Sequence, residues 1–439
     1  MSNKLINIET ARQKLLDEVN IKNLITEVSL QKALMRINFK SIVSDIDLPS
    51  TTNSAVDGYG ISSQTFFDNQ KIKYRVVGVA KAGHPFKGKI GLGEAIEIYT
   101  GAIVPEGIDA VVMHEKSKRV GDEVLIKNEI KKLQNIRPVG ENLWKGETIV
   151  KKGKLINSAD IGQLAAAGNS KVKVFKRLSV SIISTGDELI NSEIKTNPAG
   201  QIFDSNKPML LSLLNINYLK ISDLGIVKDN RAELAKKYEE ALSQSDVVIS
   251  SGGASDGIED HTQNALRDIG AECLVWQLAM KPGKPMAIGR LGEKIIFCLP
   301  GNPVAAFVCT KLLINPILLK LGGSLDWDPL TVFLKSDFDH TKNKERAEFL
   351  RAKIINNGNQ SFVNLFGKKG AGVISSLTGA TSPSGLAACP AGASVKSTAL
   401  KVPVRPPSVS APLPRPKNSG AMPSLSTWST RSTRATPRL

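Results

Sequence analysis

The run Lys294-Ile-Ile-Phe-Cys298, then Leu299-Pro-Gly-Asn-Pro303, then Val304-Ala-Ala-Phe-Val-Cys-Thr-Lys-Leu-Leu-Ile-Asn315 leaves a chain few choices. An apolar strand breaks at Gly301 and restarts as a buried helix, with Asn302 at the cap and Pro303 in the first turn. Such a turn points bare backbone N–H groups outward, and helix N-termini of this kind favour anions by roughly 0.3–1 kcal/mol. One strand upstream, Lys281-Pro-Gly-Lys-Pro285 delivers Lys281 and Lys284 from the preceding turn. With Pro300 and Gly301 they make an anion site the leading expectation. Pro-Gly is also a common turn dipeptide, so a plain surface turn fits the two lysines equally well.

The surrounding pattern is α/β. Leu178 to Ser184, Asp246 to Ser250, Ala271 to Met280, Pro285 to Gly289 and Lys294 to Cys298 read as strands. Ser205 to Leu214, Arg231 to Leu242 and His261 to Ile269 read as helices between them, which predicts a doubly wound sheet from about Arg177 to Leu321. In such sheets ligands gather beyond the carboxyl ends of the strands. Upstream, the first residues to about Arg36 read helical, with Ser29 capping a second helix. From about Asp45 to Gly146, short alternating segments broken by glycine predict a small all-β region. Short strands return after Trp327, and the pattern stops near Thr381. Residues 382–439 are Ser, Pro, Ala and Thr with scattered cations, a composition that predicts disorder.

Net charge is +17, which at first suggests nucleic acid. Eight of those cations lie in 382–439, where there are no acids; taking the eight from +17 leaves +9 on the first 381 residues. A nucleic-acid binder needs its cations on folded elements, so none is expected. No run of about 18 apolar residues is read, so no spanning helix and no membrane association are expected either. No signal peptide is recognised, and the four cysteines form no CxxC pair. A cytoplasmic setting is expected, with Cys273, Cys298 and Cys309 as core thiols. The four histidines show no metal-ligand spacing, which argues against a His/Cys zinc site.

Acids and small polar residues recur at the predicted strand ends. They include Thr185, Gly186 and Glu188, then Asp204, Ser205 and Asn206, then Asp229, then Ser251, Gly252 and Gly253, with Asp260 just beyond. One acid after a strand is ordinarily a solvated charge or a helix cap, and Asp204 before Ser205 and Asn206 fits a cap. Several in one sheet would face the same crevice as the lysines. Carboxylates opposite an anion site suit Mg²⁺ and a phosphorylated ligand, since Mg²⁺ takes one or two carboxylates plus phosphate oxygens. Gly252 and Gly253 would let backbone approach that ligand. The residues themselves imply an Mg²⁺-dependent protein acting on a phosphorylated small molecule, and identify no substrate.

Eight motifs in order resemble the molybdopterin molybdenumtransferases, the MoeA proteins related to the E domain of gephyrin. They are Ser54-Ala-Val-Asp-Gly-Tyr59, the run from Thr100 to Val112, Arg137-Pro-Val-Gly-Glu-Asn142, Ser184-Thr-Gly-Asp-Glu188, Asp204-Ser-Asn206, Ser251-Gly-Gly253, Lys281-Pro-Gly-Lys284 and Leu299-Pro-Gly-Asn-Pro303. The resemblance spans residues 5–380. It implies an N-terminal helix (1–26), a linking domain (27–45 and 147–176) and a β-rich domain (46–146). A MogA-like α/β domain (177–326) and a C-terminal β-barrel (327–381) follow. It further implies a cytoplasmic homodimer that inserts molybdate into adenylylated molybdopterin with release of AMP, using Mg²⁺, with molybdopterin adenylyltransferase as a partner. Carried over, Glu188, Asp229 and Asp260 hold metal and pterin nucleotide, Lys281 and Lys284 hold oxyanion, and Asp57 and Thr100 reach the site across the dimer. A turn and a strand-end hydroxyl would otherwise account for Asp57 and Thr100.

The chain departs from the family pattern in several places. Asn142 stands where many members have Asp, Asp256 where an apolar residue is usual, and Ala371 where Ser is frequent. The closing Gly-Asp-x-Val strand has no counterpart, and the loss of pattern near Thr381 resembles a shifted reading frame, which predicts an incomplete barrel with an exposed edge. A molybdopterin adenylyltransferase and a gephyrin-like scaffold are the alternatives. The β-rich segments count against the first, and the second would need an attached domain or long linker.

Overall fold

Strand alternation accounts for the central sheet of this chain. The computed structural model describes residues 5–18, 24–66, 72–126, 130–194, 198–253, 261–328, 331–340, 345–358, 360–367, 370–378, 386–389 and 399–403. Within them, β1 (Leu178–Thr185), β2 (Leu219–Val227), β3 (Val247–Ser251), β4 (Glu272–Trp276), β5 (Ala287–Leu291) and β6 (Lys294–Leu299) form one sheet. Its order is β2-β1-β3-β6-β5-β4. The first four strands in that order run parallel, and β5 and β4 add antiparallel to the edge.

Successive side chains point to opposite faces, and here both faces are covered. Val180, Ile182, Val247, Ile249, Ile295 and Phe297 enter one core with the helix beginning at Pro303 and the N-terminal helix Ile8–Glu18. Ile183, Val248, Ile296 and Cys298 enter the other, against Leu234 and Tyr238 of helix Arg231–Gln244 and Leu266 of helix His261–Asp268. This is why the central strands read as continuous apolar runs. Edge strand β2, with Lys220 and Asp223 exposed, carries no such run and is absent from the sequence reading.

The helix from Pro303 is continuous to Leu321 through a π turn at Thr310–Ile314. It is the one described helix long and apolar enough to cross a membrane, which corrects the expectation that no such run exists. Its most apolar window is 78% buried inside the protein, the signature of a core helix. Two further readings are corrected. Ile25–Ser29 is a strand, paired antiparallel with Lys171–Phe175, and the helix after Ser29 lasts only from Leu30 to Ala33. Cys273 is exposed, whereas Cys298 and Cys309 are buried; burial pushes the Cys309 thiol up to about 12.

The N-terminal β pairings bracket an insertion. Ile42–Val43 pairs with Thr148–Val150, so the chain leaves the linking region near residue 44 and returns near 147. Between them a six-stranded sheet includes Gly58–Ile61, Ile72–Ala80, Glu94–Ile98 and Ala110–Met113.

The C-terminal sheet contains Thr331–Ser336, Ala347–Asn357 and Gln360–Leu365, joined by Leu386–Cys389 and Ala399–Pro403. The last two correct the expectation of disorder throughout 382–439, because backbone pairing to Ala347–Asn357 and Thr331–Ser336 orders segments whose composition offers little to a core. A closed barrel is not established. The sheet curls as a half-barrel, and Leu386–Cys389 meets Ala399–Pro403 through one residue pair, Ala388 with Lys401.

Candidate functional site at the strand ends

Three parallel strands stop in register. Ser184 lies beside Ser251, and Ser251 beside Leu299, so the turns after β1, β3 and β6 leave the sheet side by side. Their backbones touch: Gly252 N donates to Leu299 O at 3.2 Å. A Cβ on Gly252 would lie 2.0 Å from Thr185 O, and one on Gly301 would lie 3.8 Å from Gly252 Cα. Gly252 also has φ +103, a conformation L side chains rarely adopt, so both constraints select glycine.

Asn206 ties the turns together. Its Nδ2 donates to Ser251 Oγ at 2.8 Å and to Gly301 O at 2.7 Å. Its Oδ1 is buried without a partner. Asp204 acts as a cap: Oδ2 accepts from Ser184 Oγ at 2.6 Å and Oδ1 from Lys207 N at 3.1 Å, while Ser205 is exposed and makes no capping bond.

The acids lie on the β1 side. Thr185 Oγ1 donates to Asp229 Oδ1 at 3.3 Å, and Asp229 N to Asp187 Oδ1 at 3.3 Å. The Glu188 carboxylate folds over Gly186, where a Cβ would lie 2.5 Å from Oε2. A Cβ on Gly253 would fall 2.7 Å from Thr262 Oγ1 and 2.8 Å from Thr185 Oγ1, so two hydroxyls flank that glycine. The Thr262 hydroxyl is fully buried and unpartnered, and no sequence signal had singled it out. Asp260 and Asp256 lie outside the described residues. Among the described residues no group of three His, Cys, Asp or Glu is placed to hold a metal ion.

The opening turn is only partly as predicted. Asn302 is the cap and Pro303 the first helical residue, but Val304 N donates to Ala371 O at 3.1 Å, so a loop of the C-terminal sheet takes one N–H. Arg351, also unforeseen, braces that loop: its Nη2 donates to Gly370 O and its Nε to Ser376 Oγ, each at 3.1 Å. Burial pushes its guanidinium pKa down. Lys281 pairs with Glu348 of the C-terminal sheet, Nζ to Oε1 at 3.1 Å, whereas Lys284 is half-buried on the same turn.

Asp57 and Thr100 form a second group in the β-rich domain. Thr100 donates to Asp57 Oδ1 through both N and Oγ1, each at 2.7 Å. Those two bonds, the backbone one foremost, hold the Asp57 carboxyl below its usual range. No described contact joins this pair to the strand ends. Asn142 is exposed on its own turn, with its N–H on Leu48 O.

Comparison with known proteins identifies this architecture. Residues 6–168 match the family described as "MoeA N-terminal region (domain I and II)", and residues 181–320 match "Probable molybdopterin binding domain". A Haemophilus influenzae molybdopterin molybdenumtransferase is 36% identical over 325 residues, covering 74% of this chain and 79% of the relative. This chain belongs to the molybdopterin molybdenumtransferase family. A Nostoc molybdopterin molybdenumtransferase is 34% identical over 69% of this chain and 71% of its own length. The crystal structure of the molybdopterin biosynthesis moeA protein from Pyrococcus horikoshii has a TM-score of 0.77 at 28% identity, covering 91% of this chain and 99% of that one. The family is one of enzymes in molybdenum cofactor biosynthesis, and the strand-end site of this member lies inside residues 181–320, the segment that matches the probable molybdopterin binding domain.

Proposed function

We propose that this chain inserts molybdate into adenylylated molybdopterin and releases AMP. The observation that carries the reading is the meeting of three turns at Thr185, Gly252 and Gly301, clamped by Asn206. Glycine backbones at that meeting admit a phosphorylated pterin closely, and the unpartnered Asn206 Oδ1 and Thr262 Oγ1 supply free polar atoms at its base. Lys281 and Lys284 would neutralise the entering oxyanion and the departing nucleotide, a dianion such as molybdate suiting ammonium groups as phosphate does. Ser205, Pro300, Asn302 and Pro303 would belong to the same binding surface.

Glu188 and Asp229 with the Thr185 hydroxyl are hard oxygen donors of the kind Mg²⁺ takes, and they would hold it together with Asp260. When bound, Mg²⁺ would polarise the phosphoanhydride. The role of these side chains is to orient the nucleotide with its leaving phosphate toward the lysines. A homodimer, with Asp57 and Thr100 completing the partner's site, belongs to the same proposal, as do a cytoplasmic setting and hand-over of substrate from a molybdopterin adenylyltransferase.

The test is AMP release from purified protein incubated with adenylylated molybdopterin, molybdate and Mg²⁺, with mass in solution followed by light scattering. Molybdate-dependent release well above a Lys281→Ala control is expected, from a particle of two chains. Release equal to that control would sink the reading.

A further inference from the structure

We infer that Glu348 is a positioning residue for Lys281, anchoring its ammonium at the seam between the α/β domain and the C-terminal sheet; this rests on the role given to Lys281 above. The two residues meet through backbone as well as side chain. Met280–Lys281 forms a short parallel ladder with Ala347 and Glu348, and Ala347 N donates to Ala279 O at 2.9 Å. The Glu348 side chain is 6% exposed and divides its oxygens: Oε1 meets Lys281 Nζ at 3.1 Å, Oε2 meets His340 Nε2 at 2.6 Å. The Lys281 side chain is 62% exposed.

Lys154 and Asp160 show the same asymmetry, 43% against 7%, at the start of helix Ser158–Ala166, so it is the place of Lys281 on the turn proposed to hold oxyanion that gives this pair its role. A surface pair exposes both partners and holds neither in place, whereas a structural pair in a core buries both. Here the anion is fixed by burial and by His340, and the cation stands out from it. An ammonium has three protons; Glu348 takes one and leaves the others for an incoming oxyanion. Lysine has a flexible four-carbon stem, so an anchored carboxylate is what gives such a group one direction. Glu348 touches no substrate in this arrangement and acts through Lys281.

The test uses the full chain. Glu348→Gln keeps size and removes charge, and is expected to raise KM for molybdate roughly 10- to 100-fold, with a smaller rise in KM for the nucleotide, which Lys284 also holds. Glu348→Asp recovers part of the loss. In a Lys281→Ala background, Glu348→Gln adds nothing further, because a positioning residue has nothing left to position. Independently, Lys281 is acylated by a water-soluble N-hydroxysuccinimide ester, read by peptide mass spectrometry, faster in Glu348→Gln than in the unaltered protein. Should Glu348→Gln fail to fold, His340→Gln, which removes one of the two partners of Glu348, moves both readouts in the same direction by less. Equal losses of activity with and without Lys281, or an unchanged acylation rate, overturn the inference. If the unaltered protein releases no AMP, the proposed function fails by itself, and the acylation rates still decide whether Glu348 holds Lys281.

Discussion

At the scale of single residues, the site depends on positions where a side chain has no room. Gly252 is the sharpest case, since its φ is +103 and a Cβ would stand 2.0 Å from Thr185 O. Gly252→Ala is therefore expected to cost about 1–3 kcal/mol from the left-handed backbone alone, with the clash added to it. A urea denaturation midpoint that does not fall would show that the turn relaxes freely. Gly301 offers the contrast, because a Cβ there would meet only Gly252 Cα at 3.8 Å, an ordinary contact. The Gly-Gly after β3 and the Gly-Asn after β6 look alike in sequence, yet only the structure shows which one is pressed against a neighbouring carbonyl.

At the scale of elements, the tie between the Met280–Lys281 strand and the Ala347–Asn357 strand makes a pH prediction. Burial pushes the Glu348 carboxyl up, but the hydrogen bonds from His340 and Lys281 outweigh it, and the net direction is down. A carboxylate depressed in the folded state contributes stability above its unfolded pKa, about 4.3, and loses it as pH falls through the lower folded value. Urea midpoints of the unaltered protein should thus drop more between about pH 5 and pH 3 than those of Glu348→Gln; parallel acid limbs would remove Glu348 from the acid response. The same strands show what the sequence conveyed and what it withheld. β1, β3 and β6 were legible because both their faces are buried, so their apolar runs are unbroken. The turns after them were legible because glycine, proline and the acids punctuate them. Ile25–Ser29 and β2 were not, since each is partly exposed and alternates too weakly to be told from helix or loop. Glu348 and Arg351 were hidden for another reason: Glu348 meets Lys281 and Arg351 braces the loop at Gly370 that bonds Val304, and nothing local in Arg346-Ala-Glu-Phe-Leu-Arg351 signals what lies opposite.

At the scale of the whole molecule, the first helix and the last parts of the α/β core are packed as one. Ile8, Ala11, Leu15 and Leu16 share a cluster with Leu278, Ile317, Leu318 and Leu321. Chains grow at roughly 5–20 residues per second, so the helix waits about 15–60 s on the ribosome before its seat has been synthesised. Its apolar face spends that time without a native partner. Chains stalled before residue 278 should be cut by protease within residues 8–18, while released chains resist, and equal resistance would mean that the helix is sheltered some other way. This helix is thus seated only after residues 278–321 have been made, and any holding factor that this protein needs during translation would act on its apolar face.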